Sequence, residues 1–218
     1  EILAEEINRS AIKPLSPRPR LALVELHLEQ GKNQAALTTL SGFAKPLSPL
    51  FQASVNLLKA RALIALKRYA QAQVPLREII TQQQLIPTSV LNSASLLLAD
   101  ASIATGTSDD AIVILTGIIE NAPAGGNVLP AFDRIADTGF FKTPSGMSML
   151  DKWQKSPKAE TRRPAVFFSV AANNNDDVTR AQGLLKLTEL KNGNDPVGVR
   201  ASLLLSEILI ENSDKKGA

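Results

Sequence analysis

KARALIALKRYAQAQ, residues 59–73, decides the fold of this chain because it recurs in altered form. It reads as the second half of one helix, a tight polar turn and the first turn of the next helix. Around it, Leu57 is followed by Arg61 four places on and by Ala72 fifteen places on. The stretches LALVELHLEQGKNQAA (21–36), LLLADASIATGTSDDA (96–111) and LLLSEILIENSDKKGA (203–218) obey the same rule. Each starts on an apolar residue, carries a charge four places later and ends on alanine fifteen places later.

The composition agrees with a helical chain. Of 218 residues, 44% are hydrophobic but only 4% aromatic, so the core must be built mainly from Leu, Ile, Ala and Val. That favours close helix packing over a sheet sandwich, where β-branched and aromatic residues dominate. A net charge of +3, with a pI near 9.2, comes with no basic stripe interleaved with aromatics, so nucleic acid is not the expected partner. No apolar run reaches the ~20 residues a membrane helix needs, so no membrane insertion is expected. The absence of cysteine excludes disulfides and thiolate metal sites, and tilts the expected location towards a bacterial periplasm or cell envelope rather than the cytoplasm. The chain opens on EILAEEI, inside an apparent helix, and is read as a piece of a longer repeat protein.

Periodicity and breakers predict helices over 1–12, 21–30, 33–43, 52–66, 69–83, 88–104, 108–121, 129–136, 146–154, 178–190 and 199–210. Pro75 falls inside the fifth and predicts a local kink or a late start. Residues 156–164 read as a polar connector, and 165–172 as a short helix, with AVFFSV the one credible strand.

The landmark alanines are Ala36, Ala72, Ala111, Ala181 and Ala218, at intervals of 36, 39, 70 and 37. The interval of 70 is two units of 35, and an irregular pair within about 124–160 fills the gap. A period of ~35 with two helices per unit marks a helical solenoid, whose units bury their apolar faces only by stacking.

In these columns the sequence resembles the tetratricopeptide repeat family. The small residue of the first helix is matched by Val24, Ala60, Ala99, Ser169 and Ser206, and the turn glycine by Gly31 and Gly106, with Tyr69 as the following aromatic. The alanine opening the second helix is Ala36, Ala72, Ala111 or Ala181, and the large apolar residue four places on is Leu40, Leu76, Leu115 or Leu185. Pro123 stands for the closing proline, with Pro49, Pro87 and Pro196 near the corresponding places. The first-helix aromatics of the family are missing and the spacing is longer than its usual ~34. The resemblance implies an all-α, right-handed α-solenoid of antiparallel helix pairs, forming a single domain over 1–218.

In this family the first helices line a concave groove. The resemblance therefore implies a partner-binding face in which Leu21, Leu57, Leu96 and Leu203 form one column and Leu28, Ile64, Ile103 and Ile210 another. Glu25, Arg61, Asp100 and Glu207 lie between them. An apolar groove with a mixed-sign charge row suits an extended or helical peptide. The competing reading makes these leucines ordinary inter-helix core, with the charges pairing between neighbours. Co-chaperone members of the family grip a carboxylate with Lys, Asn and Arg at these places. Here only Arg61 fits, so no such clamp is expected.

Phe140, Phe141, Met147 and Trp153 gather rare aromatics and a methionine into one segment. They read either as a plug packing an irregular repeat or as a secondary contact surface. Beside them, Lys152, Lys155, Lys158, Arg162 and Arg163 read as a solvated connector or an anionic contact. His27, the single histidine, reads as a packing residue with no acid–base constellation around it. The 173–177 run NNNDD lacks the spaced ligands of a calcium loop, and Gly125-Gly126 lacks the lysine of a phosphate loop. No catalytic residue, cofactor or metal is expected. The expected function is a non-catalytic scaffold binding a protein or peptide, with a helical accessory domain of a larger cell-envelope enzyme or assembly factor as the alternative.

Overall fold

The structure, a computed structural model, describes residues 17–43, 48–173 and 177–217, with side chains for 18–43, 48–173 and 181–210. Among these residues the chain is all-α: eleven α-helices, two short 3₁₀ turns and no strand. The helices are α1 (Pro17–Glu29), α2 (Asn33–Ser41), α3 (Pro49–Ala65), α4 (Tyr69–Thr81), α5 (Thr88–Ala104) and α6 (Ser108–Asn121). After them come α7 (Leu129–Asp137), α8 (Pro144–Gln154), α9 (Ala159–Ala172), α10 (Asp177–Leu190) and α11 (Pro196–Gly217). The helix expected over 1–12 lies outside the described residues, as does Ala218. The chain divides into two compact units, residues 1–114 and 115–218, so the boundary falls inside α6.

Prolines start helices here more often than they end them. Ser48-Pro49 and Thr143-Pro144 place a capping hydroxyl before a proline at the first helical position. Ser48 accepts from the Phe51 N–H at 3.4 Å, and Thr143 from the Gly146 N–H at 3.1 Å. Asp195 does the same for α11, its carboxylate accepting from the Gly198 N–H at 2.7 Å ahead of Pro196. Two expected starts are corrected: α1 starts at Pro17 rather than Leu21, and α9 starts at Ala159 inside the expected connector. α4 starts at Tyr69 as expected, with Pro75 buried inside it and without the late start. Pro75 and Pro164 both lie within the first two turns of their helices, where one backbone bond is lost but burial compensates. AVFFSV is helix, not strand.

In the first unit α3 is the central element. Its Val55, Leu58 and Ala62 join Val24, Ala36 and Leu40 from α1 and α2 in one core cluster. Its Ala53, Ala60 and Leu63 join Ala72, Leu76 and Ile79 of α4 and Ala94 and Leu98 of α5 in another. A helix apolar on several faces is one packed from several sides. Consecutive helices pack on each other from α1 to α5, and α1 also touches α3, and α3 touches α5.

The turns between these helices repeat one geometry. After α1, Gly31 has φ 70°, its N–H donates to Leu28 O at 3.0 Å and the Lys32 N–H to His27 O at 2.8 Å. After α3, Lys67 has φ 58°, with Lys67 N to Ile64 O and Arg68 N to Leu63 O, both 2.8 Å. After α5, Gly106 has φ 82°, with bonds to Ile103 O at 3.0 Å and from Thr107 N to Ser102 O at 2.9 Å. All three are helix ends in which a left-handed residue lets two amides turn back to the last carbonyls.

The second unit holds the aromatic core. Phe132, fully buried, stacks on Phe168 at 5.6 Å between centroids, meets Trp153 edge-on at 5.2 Å and lies 6.1 Å from Phe141. Here α8 packs on α9, α9 on α10 and α10 on α11, while α9 also touches α7 and α11.

The repeat columns hold at first and then slip. Val24, Ala60 and Ala99 are fully buried, as are Ala36, Ala72 and Ala111, and Leu40, Leu76 and Leu115 are buried four places on. In α10, however, Ala181 is exposed and Leu185 is 69% exposed, so the expected register there is wrong. The buried residues are Gly183, Leu187 and Leu190. A Cβ on Gly183 would stand 2.9 Å from a Val170 methyl, so in α10 the close approach falls at Gly183.

Candidate functional site

The expected binding rows of α1, α3 and α5 sit in the first unit, on helices that touch in that order. Spacing of i, i+4 and i+7 puts each apolar–charged–apolar triplet on one helix face. Leu21, Leu28, Leu57, Ile64, Leu96 and Ile103 are half-buried, while Glu25 and Arg61 are exposed and Asp100 is half-buried. Leu21 and Leu28 pack against the cluster around Val24, and Leu57 and Ile64 against the one around Leu76. These leucines therefore act partly as inter-helix core, and a solvent-accessible edge remains on each.

The fourth row, on α11, belongs to the second unit and is different in character. Leu203 and Ile210 are each 61% exposed, and Glu207 is exposed. Val199, four places before Leu203, is exposed as well, while Val197, Ala201 and Ile208 are buried on the opposite face. No later helix covers this row among the described residues, whereas Leu57 and Ile64 on α3 pack against a cluster that includes residues of α4 and α5.

The aromatic segment is core rather than contact surface at two of its four named residues. Phe141 and Trp153 are buried, ringed by Phe132 and Phe168, while Phe140 and Met147 are half-buried. Gly146 makes this packing possible, because a Cβ there would run into the Phe140 carbonyl.

The neighbouring basic residues mostly hold structure. Lys152 pairs with Glu120 at 2.7 Å, and Trp153 Nε1 donates to the same oxygen at 3.4 Å. The Lys152 hydrogen bond, assisted by Trp153 and opposed by burial, holds the Glu120 carboxyl below its usual range. Lys158 donates to the carbonyl of Ala122 at 2.7 Å and of Glu120 at 3.4 Å, closing the end of α6. Arg162 donates to Ser156 O at 3.0 Å. Arg163 Nε pairs with Asp195 at 2.8 Å and its Nη2 reaches Leu190 O at 2.9 Å. Burial pushes the Asp195 carboxyl up, but Arg163 and the Gly198 and Val197 amides outweigh it and leave it below the usual value. Arg200 makes a two-point pair with Asp133, and that hydrogen bond raises the guanidinium further.

His27 is half-buried, with its Nδ1 buried and without a hydrogen-bond partner among the described residues, as a packing residue would be. Sequence reasoning missed Asn56, a polar residue buried in the middle of α3. Its signal was present: it interrupts an otherwise apolar stretch of that helix. No helix among the described residues is long and apolar enough to cross a membrane. No protein-family model, curated protein or solved structure matches this chain.

Proposed function

We propose that this chain is a non-catalytic scaffold of the tetratricopeptide type, a right-handed solenoid of antiparallel helix pairs that binds a protein or peptide segment on its first-helix face. The observation that supports the reading is the turn geometry repeated at Gly31, Lys67 and Gly106, which follows α1, α3 and α5 alike. The reading is also supported by the contacts of α1 with α3 and of α3 with α5, and by Glu25 and Arg61, which are exposed between half-buried leucines. An extended or helical peptide meets such a face through apolar anchors and reads it through the charges.

The test is selection of random displayed peptides on the immobilised chain, followed by affinity measurement with a Glu25→Arg, Arg61→Glu variant. Both side chains are exposed, so the variant keeps its thermal midpoint, whereas Leu57→Asp would strike the core. Enriched peptides should bind the variant about ten-fold more weakly. Equal binding to both forms, or no enrichment at all, rejects the reading.

A further inference from the structure

A second face of α3 carries a cleft of about 390 Å³ in the first unit. Gln52, Asn56, Lys59 and Leu63 line it from α3. Their i, i+4, i+7, i+11 spacing makes one stripe, roughly 140° around the helix from the stripe of Leu57, Arg61 and Ile64. The cleft and the proposed peptide face are therefore separate.

The floor is apolar, formed by Leu37, Leu40, Val55 and Leu63. Into it is set a polar chain. Gln52 Nε2 donates to Asn56 Oδ1 at 2.9 Å, and Asn56 Nδ2 donates to Glu78 Oε2 at 2.9 Å. Asn56 is 6% exposed. A leucine would pack there more favourably, since burying an amide gains little even when its hydrogen bonds are made. Lys59 and Arg68 stand on the rim, exposed and without an ion pair among the described residues. Glu78, the one carboxylate in the lining, is engaged by Asn56. Two cations against one carboxylate leave the lining positive by one.

The geometry points to a binding site for a small amphiphile with an apolar body and a single anionic head. The body covers the leucine floor and the head meets Lys59 and Arg68. The cleft's volume lies in the range of small-molecule sites, ~300–1,000 Å³. A carboxylate and a phosphate monoester offer the same chemistry here, and the headgroup is read by comparison.

Calorimetric titration with decanoate, decyl phosphate and decylamine, each below its micelle concentration, tests this on the whole chain. The two anions should bind and the amine should not, and a Lys59→Glu, Arg68→Glu variant should bind the anions about ten-fold more weakly with an unchanged thermal midpoint. The tighter of the two anions identifies the headgroup. Absence of anion binding, equal binding of decylamine, or undiminished binding to the variant would each overturn the assignment.

Discussion

Lys67→Gly should stabilise the protein. Lys67 is the one non-glycine residue with positive φ among the described residues, at 58°, in the place occupied by Gly31 and Gly106 in the other two turns. A left-handed conformation costs an ordinary L-residue roughly 1–2 kcal/mol. Glycine removes that strain but adds unfolded-state entropy of about 0.5–1 kcal/mol. The Lys67 side chain is exposed and forms no ion pair among the described residues, so little else changes. The net is a gain of about 0.5–1 kcal/mol. The converse, Gly106→Lys, should cost a similar amount, because open space surrounds a Cβ there and only the φ of 82° opposes it. Urea unfolding followed by far-ultraviolet circular dichroism, with the slope fixed, reads both changes as midpoint shifts of opposite sign. If Lys67→Gly lowers the midpoint, the three turns are not equivalent and α1, α3 and α5 are not repeats of one unit.

Phe132→Ala removes a fully buried ring at the hub of four aromatics and should cost about 3–5 kcal/mol. Trp153, the sole tryptophan, lies 5.2 Å from that ring, so its fluorescence reports the loss directly; a shift below ~1 kcal/mol would contradict the packing. Gly146→Ala pushes a methyl group into the Phe140 carbonyl and should lose about 1–3 kcal/mol in the same assay. Acid should destabilise the second unit. Glu120 and Asp195 are both held below their usual values, so their contribution is complete above the unfolded pKa of about 4 and disappears as pH falls through the folded values. Glu120→Gln with Asp195→Asn should lower stability at neutral pH and flatten its decline below about pH 4; an unchanged acid profile would show that other groups govern it.

The candidate site was legible in one respect and illegible in another. The triplet spacing placed Glu25, Arg61 and the leucines beside them on single helix faces, and spacing alone suffices for that. How far each leucine is covered was not in the spacing. Leu57 and Leu203 were expected to share a column, yet one is half-buried and the other 61% exposed, because burial depends on which helices pack against each. Asn56 left a local signal by interrupting an apolar stretch, but its bond to Glu78, 22 residues away on another helix, is announced by nothing local.

The sequence by itself determined that this is a helical chain. It also placed the α1–α2, α3–α4 and α5–α6 turns and three buried alanines, because periodicity, turn residues and small side chains act within a few residues of themselves. Only the tertiary structure decided that α9 begins early enough to contain Pro164, where burial compensates for the lost bond. It also decided that Phe141 and Trp153 close on Phe132 and Phe168 instead of facing solvent. In α10 it left the landmark Ala181 exposed and buried Gly183 instead, because the surface of Val170, not the count of residues, selects the residue small enough to fit.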